Sequence, residues 1–191
     1  MRRRTECGGH RKPARILCVF ALCAAMATHA GENLPFVESQ VKAAFLYNFA
    51  QFVEWPRETF RNSSDPINLC ILGLTPVGRT LQNVVRDKVV GGRTLAVHNI
   101  TNVGQAGNCQ ILFVSASEQK QLHAILDATK TSDVLTVGET ENFAAEGGVV
   151  GFHRDDGRIR FDLNLQAAQR ERLRVSSKLA SLAISILTVG K

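Results

Sequence analysis

What is missing narrows the possibilities first. The 191-residue chain contains no uninterrupted apolar run of about 18 residues, so no ordinary transmembrane helix is written into it. It has no HExxH pair, no Gly-Lys-Ser/Thr phosphate loop and no G-x-S-x-G elbow, which removes the sequence support for zincin, P-loop and α/β-hydrolase chemistry. Past residue 30 the histidines are His98, His123 and His153, scattered over separate segments with no Cys/His cluster. No metal site and no cofactor are therefore expected. Tryptophan occurs once, which makes its single position conspicuous. Charged residues are only 21% against 45% hydrophobic, so wholesale disorder is excluded and a core can form.

The charge that is present is unevenly placed. Arg2, Arg3, Arg4, Arg11, Lys12 and Arg15 precede the apolar stretch Ile16 to Met26, and small residues follow as far as Ala30. A basic head, a short apolar span and a small-residue exit predict a secretory signal peptide over residues 1–30, cleaved after Thr28-His29-Ala30. Residues 31–191 are then expected to form one exported domain. The leader carries six of the 23 basic residues and one of the 17 acidic ones. The remaining 161 residues hold 17 basic and 16 acidic, a net charge of about +1 rather than +6. That balance gives no lasting basic surface, and nucleic acid is not an expected partner. Two cysteines remain, Cys70 and Cys109. In an exported chain they suggest one disulfide; two buried free thiols or an intermolecular bridge are the rival readings.

Periodicity organises the rest. Val37, Val41, Ala44, Phe45, Phe49 and Phe52 fall at helical spacing, and Glu54-Trp55-Pro56 stops that helix. Ile67 to Gly73, Gln110 to Ser115 and Val134 to Val137 read as near-continuous apolar strands. Helices are expected from Thr75-Pro76 to about Arg86 and from Ser117 to Thr129. Val89 to Val97 reads as a turn and strand. Val149 to Phe152 and Arg158 to Leu163 form a hairpin around Asp156-Gly157, followed by a helix over 165–172 and a last helix from Ser176/Ser177 to about Leu187. Apolar strands alternating with helices predict a three-layer α/β/α sandwich: a mostly parallel sheet, with the C-terminal hairpin adding an antiparallel edge.

Two segments stand out against this background. Trp55 sits at a helix end beside a rigid turn, a good place for an anchor or a pocket wall. In Arg158 to Leu165, Ile159, Phe161 and Leu163 alternate with Arg160, Asp162 and Asn164, so one strand face is polar. Arg174 lies just before Ser176-Ser177, where a helix start suits an anion. Gly73 to Gly78 and Ser115 to Glu118 read as capped turns.

These residues resemble a known family. Gln40 to Phe49 followed by Phe52-Val53-Glu54-Trp55-Pro56 opens like the YfiR-type periplasmic proteins. The likeness continues through Leu69 to Gly73, Cys109 to Ser115, Gly148 to Phe152, Arg160 to Leu165 and Leu173 to Leu179. The resemblance implies a small α/β/α periplasmic domain, often a homodimer, that is not an enzyme. It implies repression of an inner-membrane diguanylate cyclase of the YfiN type through its periplasmic region, which lowers cyclic-di-GMP and biofilm output. A YfiB-type outer-membrane lipoprotein is the implied antagonist. A Cys70–Cys109-like disulfide is also implied, as is a partner surface near Glu54, Trp55 and the segment carrying Phe161, Asp162 and Asn164. Asp162 matches an acidic position linked with partner control; Arg174 and Ser176 match positions that line a pocket. A second reading is a small-molecule sensor with an anion or metabolite pocket at Thr75, Arg174 and Ser176.

Overall fold

A computed structural model describes residues 34–188; the expected leader and its cleavage site lie outside the described residues. Helix α1 spans Leu34–Phe52. Its buried stripe is Ala43, Leu46, Phe49 and Ala50, each at most 2% exposed, whereas Val37 is 51% exposed. The stripe is therefore rotated from the one periodicity suggests. Apolar residues occur on nearly every side of this helix, so packing rather than spacing chooses the face that is buried. Pro56 prevents continuation, and Val53–Glu54 turn extended as strand β1.

The main sheet contains β2 (Ile67–Leu72), β3 (Val89–Val90), β4 (Arg93–Ile100), β5 (Ile111–Val114), β6 (Leu135–Gly138), β7 (Val150–Asp155), β8 (Arg158–Asn164) and β10 (Ser185–Leu187). Their order across the sheet is β10-β8-β7-β6-β5-β2-β4-β3. Strands β4, β2, β5, β6 and β7 run parallel; β8 is antiparallel to β7, and β3 to β4. The hairpin turns at Asp156 and Gly157, whose φ values of 44° and 72° are the left-handed pair that an Asp-Gly two-residue loop supplies.

Alternation along the strands builds two cores. Leu69, Ile71, Ile111, Phe113, Leu135 and Val137 pack with Leu46 and Phe49 of α1 and Leu81 of α2 (Val77–Val85). Cys70, Leu72, Leu112 and Val114 point the other way, against Leu122, Ile125 and Leu126 of α3 (Leu122–Thr129). The three-layer sandwich with its antiparallel hairpin is thus observed. In the second core the Phe143 ring fills the space over two glycines. A Cβ at Gly138 or Gly148 would fall 2.0 or 2.1 Å from a ring atom. Cys70 and Cys109 are joined, with Cα atoms 5.8 Å apart, which selects the intramolecular bridge from the three readings.

Three expectations need correction. Helix α3 starts at Leu122, because residues 116–121 form a 3₁₀ turn capped by Ser115, whose side chain accepts the Ser117 N–H. The helix after β8, α4, covers only Leu165–Arg170. The last helix, α5, stops after Ser177–Ala180, and the chain then pairs as β10 in parallel with β8. There the Ile184 N–H donates to Phe161 O at 3.0 Å; the open edge of β8 overrides a weak helical pattern. Among the described residues no helix is long and apolar enough to cross a membrane.

Candidate functional site

The break at Pro56 creates the most informative local structure. Leaving α1, Val53 and Glu54 pair antiparallel with β9 (Arg174–Val175), placing Val53 opposite Val175 and Glu54 opposite Arg174. Opposite charges facing each other across a ribbon are mutually supportive, worth a few tenths of a kcal/mol to about 1 kcal/mol. Both residues are exposed. The Ser176 N–H donates to Phe52 O at 3.0 Å, closing the ribbon. The Ser176 hydroxyl is occupied as the N-cap of α5, accepting the Leu179 N–H at 3.2 Å. Lys178 places its ammonium 5.2 Å from the centre of the Phe52 ring, within cation–π range.

Trp55 follows immediately. Its indole is half-buried and donates to the Gln110 carbonyl at 3.1 Å. That same carbonyl accepts the Leu135 N–H at 2.9 Å. Trp55 is therefore fastened to the N-terminal ends of β5 and β6. Beside it lies a group that sequence reasoning missed. Asp133, 7% exposed, accepts from Thr59 Oγ1 at 3.1 Å and from both Nε and Nη2 of Arg172. Glu171, 2% exposed, accepts the Ser132 N–H at 3.0 Å and Arg170 Nε at 3.1 Å. Asp133 and Arg172 both have positive φ, 58° and 54°. No local periodicity marks such residues; contacts between distant segments assemble them.

The structure brings Glu54, Trp55, Arg174 and Ser176 together and sends Phe161, Asp162 and Asn164 elsewhere. Phe161 is 1% exposed and stacks edge-on against Phe45 and Phe49 at 5.5 and 5.4 Å. Asn164 caps α4, accepting the Ala167 N–H at 2.9 Å and donating to Ala144 O at 2.7 Å. Asp162 alone of the three is half-exposed. It lies on the opposite face of β8 from Phe161, with Oδ2 3.2 Å from His153 Nδ1. The angle makes no hydrogen bond there, and on the same face Arg160 Nε is likewise buried without a partner among the described residues. Thr75 follows the C-terminal end of β2, whereas Arg174 and Ser176 sit with Trp55 at the N-terminal ends of the parallel strands. Among the described residues Thr75 therefore lies at the opposite end of the parallel strands from Arg174 and Ser176, and the structure does not bring the three together.

At that far end, Lys42 of α1, 8% exposed, bridges Glu38 at 2.6 Å and Glu139 at 2.5 Å. Burial works to raise the Glu38 carboxyl. The Lys42 hydrogen bond, with the charges of Lys42 and Arg154, outweighs it and holds the group below its ordinary value. The cluster ties α1 to the sheet and to the β7–β8 hairpin.

The decisive comparison is with protein families: the family model described as YfiR/HmsC-like matches residues 39–184. The chain belongs to the YfiR/HmsC-like family. The match runs from within α1 past the end of α5, and so takes in the ribbon, the disulfide and the hairpin. No curated protein matches the sequence. Two solved structures share the fold of this YfiR/HmsC-like chain. One is a conserved domain protein from Vibrio cholerae, the other the ABC domain in complex with L-Trp from Streptococcus pneumonia. Each has a TM-score of 0.51 and 8% identity, over 78% of this chain and 60% of the solved one. This chain thus spans about three-fifths of the length of those proteins, and at that identity the likeness is one of fold alone.

Proposed function

We propose that this YfiR/HmsC-like protein is a periplasmic, non-catalytic regulator. It binds the periplasmic region of an inner-membrane diguanylate cyclase and represses it, lowering cyclic-di-GMP and biofilm formation. The observation that carries the reading is family membership over residues 39–184. A homodimer is the working form, and a YfiB-type outer-membrane lipoprotein competes for it. We place the partner surface on the β1–β9 ribbon. There the exposed charges Glu54 and Arg174 flank a half-buried Trp55 whose indole is already held in one orientation. A fixed aromatic rimmed by charge loses little conformational freedom on binding, and such aromatics dominate interface energetics. Asp162, on the hairpin face, forms a second and separate contact.

The test is a pull-down from detergent-solubilised host membranes with the folded protein as bait, read by mass spectrometry. It is run in parallel with the charge swap Glu54→Lys/Arg174→Glu. The swap keeps opposite charges facing each other across the ribbon, so the fold is preserved while the pattern presented to a partner is inverted. Enrichment of a membrane cyclase by the native protein and its loss with the swapped one is the expected result. Retention of no membrane protein by folded bait overturns the function; equal retention by both baits overturns the site.

A further inference from the structure

We propose that the open groove floored by the Cys70–Cys109 disulfide is a carbohydrate-binding site, separate from the ribbon and independent of the cyclase reading. The groove has a volume of about 810 Å³, within the range of roughly 300–1,000 Å³ typical of small-ligand sites. One wall is the loop over 57–66, the other the 3₁₀ segment Val103–Asn108. The disulfide holds that segment against β2.

The polar groups of the floor are fixed before any ligand arrives. Asn68 donates from Nδ2 to Asn108 O at 2.9 Å, and its Oδ1 lies 3.1 Å from His98 Nε2. Its backbone N–H donates to Gln110 Oε1 at 2.8 Å. Side-chain amides and an imidazole thus line one opening, each able to donate and to accept. Formal charge in the groove is largely spent inside the protein. Asp133 is held by Arg172, and Asp65 accepts two backbone N–H groups, which with the Asn62 side chain keep its carboxyl below the ordinary value. That leaves one carboxylate, Glu58, and one guanidinium, Arg61, at the rim. The rim thus carries one charge of each sign, and no cluster of either sign that would select an anion or a cation.

The groove also offers apolar surface. Half-buried Phe60, Pro66 and Ile100 form it, the Phe60 ring held under the Arg93 guanidinium 3.8 Å from its centroid. An uncharged ligand with many hydroxyls around its edge and apolar C–H faces matches this lining: a pyranose oligosaccharide. The pre-set amides lower the ordering cost of binding it.

Trp55 supplies a local reporter, because it is the only tryptophan and its indole N–H sits on the carbonyl of Gln110, a lining residue. The purified protein, disulfide intact, is titrated with tetrasaccharides of β-1,4-linked glucose, β-1,4-linked N-acetylglucosamine and α-1,4-linked glucose. Trp55 emission and calorimetry are recorded, with glycerol and a lysine oligopeptide as control arms. At least one tetrasaccharide should give a saturable response. His98→Ala, at an exposed position, and Asn68→Ala should each weaken it roughly tenfold, the histidine variant with an unchanged thermal midpoint. The proposal is overturned if no tetrasaccharide saturates in either readout, or if glycerol or the lysine peptide gives an equal response. It is also overturned if His98→Ala binds like the native protein.

Discussion

Reducing the Cys70–Cys109 bridge should lower the thermal midpoint by roughly 8–16 °C and leave the protein folded at room temperature. The bridge encloses a separation of 39 residues, for which the loop-entropy relation gives about 13 cal/mol/K, or about 4 kcal/mol at 25 °C. In a domain of about 150 residues each kcal/mol moves the midpoint by roughly 2–4 °C. The fold survives because the bond is not what organises the core. Leu112 and Val114 still face Leu122, Ile125 and Leu126 without it, and the core under α1 contains neither cysteine. The two sulfurs, in residues 2% and 3% exposed, remain buried as thiols. Circular dichroism melts with and without a phosphine reductant give the shift, and a free-thiol count on the native protein should give zero beyond any cysteine of the leader. Midpoints within about 2 °C of each other would refute the chain-entropy account. Complete unfolding of the reduced protein at 25 °C would refute the claim that two independent cores carry the fold.

Two further outcomes follow from packing and charge. Gly138→Ala should destabilise by about 3 kcal/mol in denaturant titration, since the added methyl meets the Phe143 ring. In a Phe143→Ala background the same change should cost far less, and additive losses would show that the ring is not the obstacle. The Glu38 carboxyl is held below its ordinary value of 4.5. Its contribution is therefore fully present above that pH and is lost as pH falls through the lowered folded value. The stability gap between the native protein and Glu38→Gln should narrow from pH 6 to pH 3, and a gap that stays constant would exclude the Lys42–Glu38 pair as its source.

The parts of the fold legible from sequence are those where one physical demand dominates. Strands β2, β5 and β6 are buried on both faces, so apart from Asn68 and Thr136 their side chains are apolar, and such runs cannot be mistaken for loops. Asp156-Gly157 announces its turn because a two-residue hairpin needs two left-handed residues. Where two demands compete, legibility is lost. In α1, apolar residues serve the sheet, α2 and the aromatic cluster of Phe45, Phe152 and Phe161 at once, so spacing alone points to the wrong stripe. At the C-terminus, Ile184 and Ile186 fit a helix or a strand equally, and only the unpaired edge of β8, invisible in the local sequence, decides between them.

The candidate site divides along the same line. Phe161 and Asn164 attract notice in the sequence because they belong to a regular alternating strand. That regularity is itself the mark of a structural role, since one residue fills the core and the other caps a helix. Glu54 and Arg174 come from opposite ends of the domain, and two residues of strand at each end carry no pattern that a window of sequence detects. Their pairing depends on Pro56 ending α1 at the point where the chain returning from α4 passes. The amides around Asn68 are hidden for the same reason: loop, strands and 3₁₀ segment each contribute a few polar residues, unremarkable singly. Side chains recruited from distant segments and then locked by mutual hydrogen bonds cost ordering entropy that a merely solvated surface would not spend. The ribbon and the groove both show that locking, which is the physical ground for placing the main contacts there and leaving the more regular hairpin strand only the separate contact proposed at Asp162.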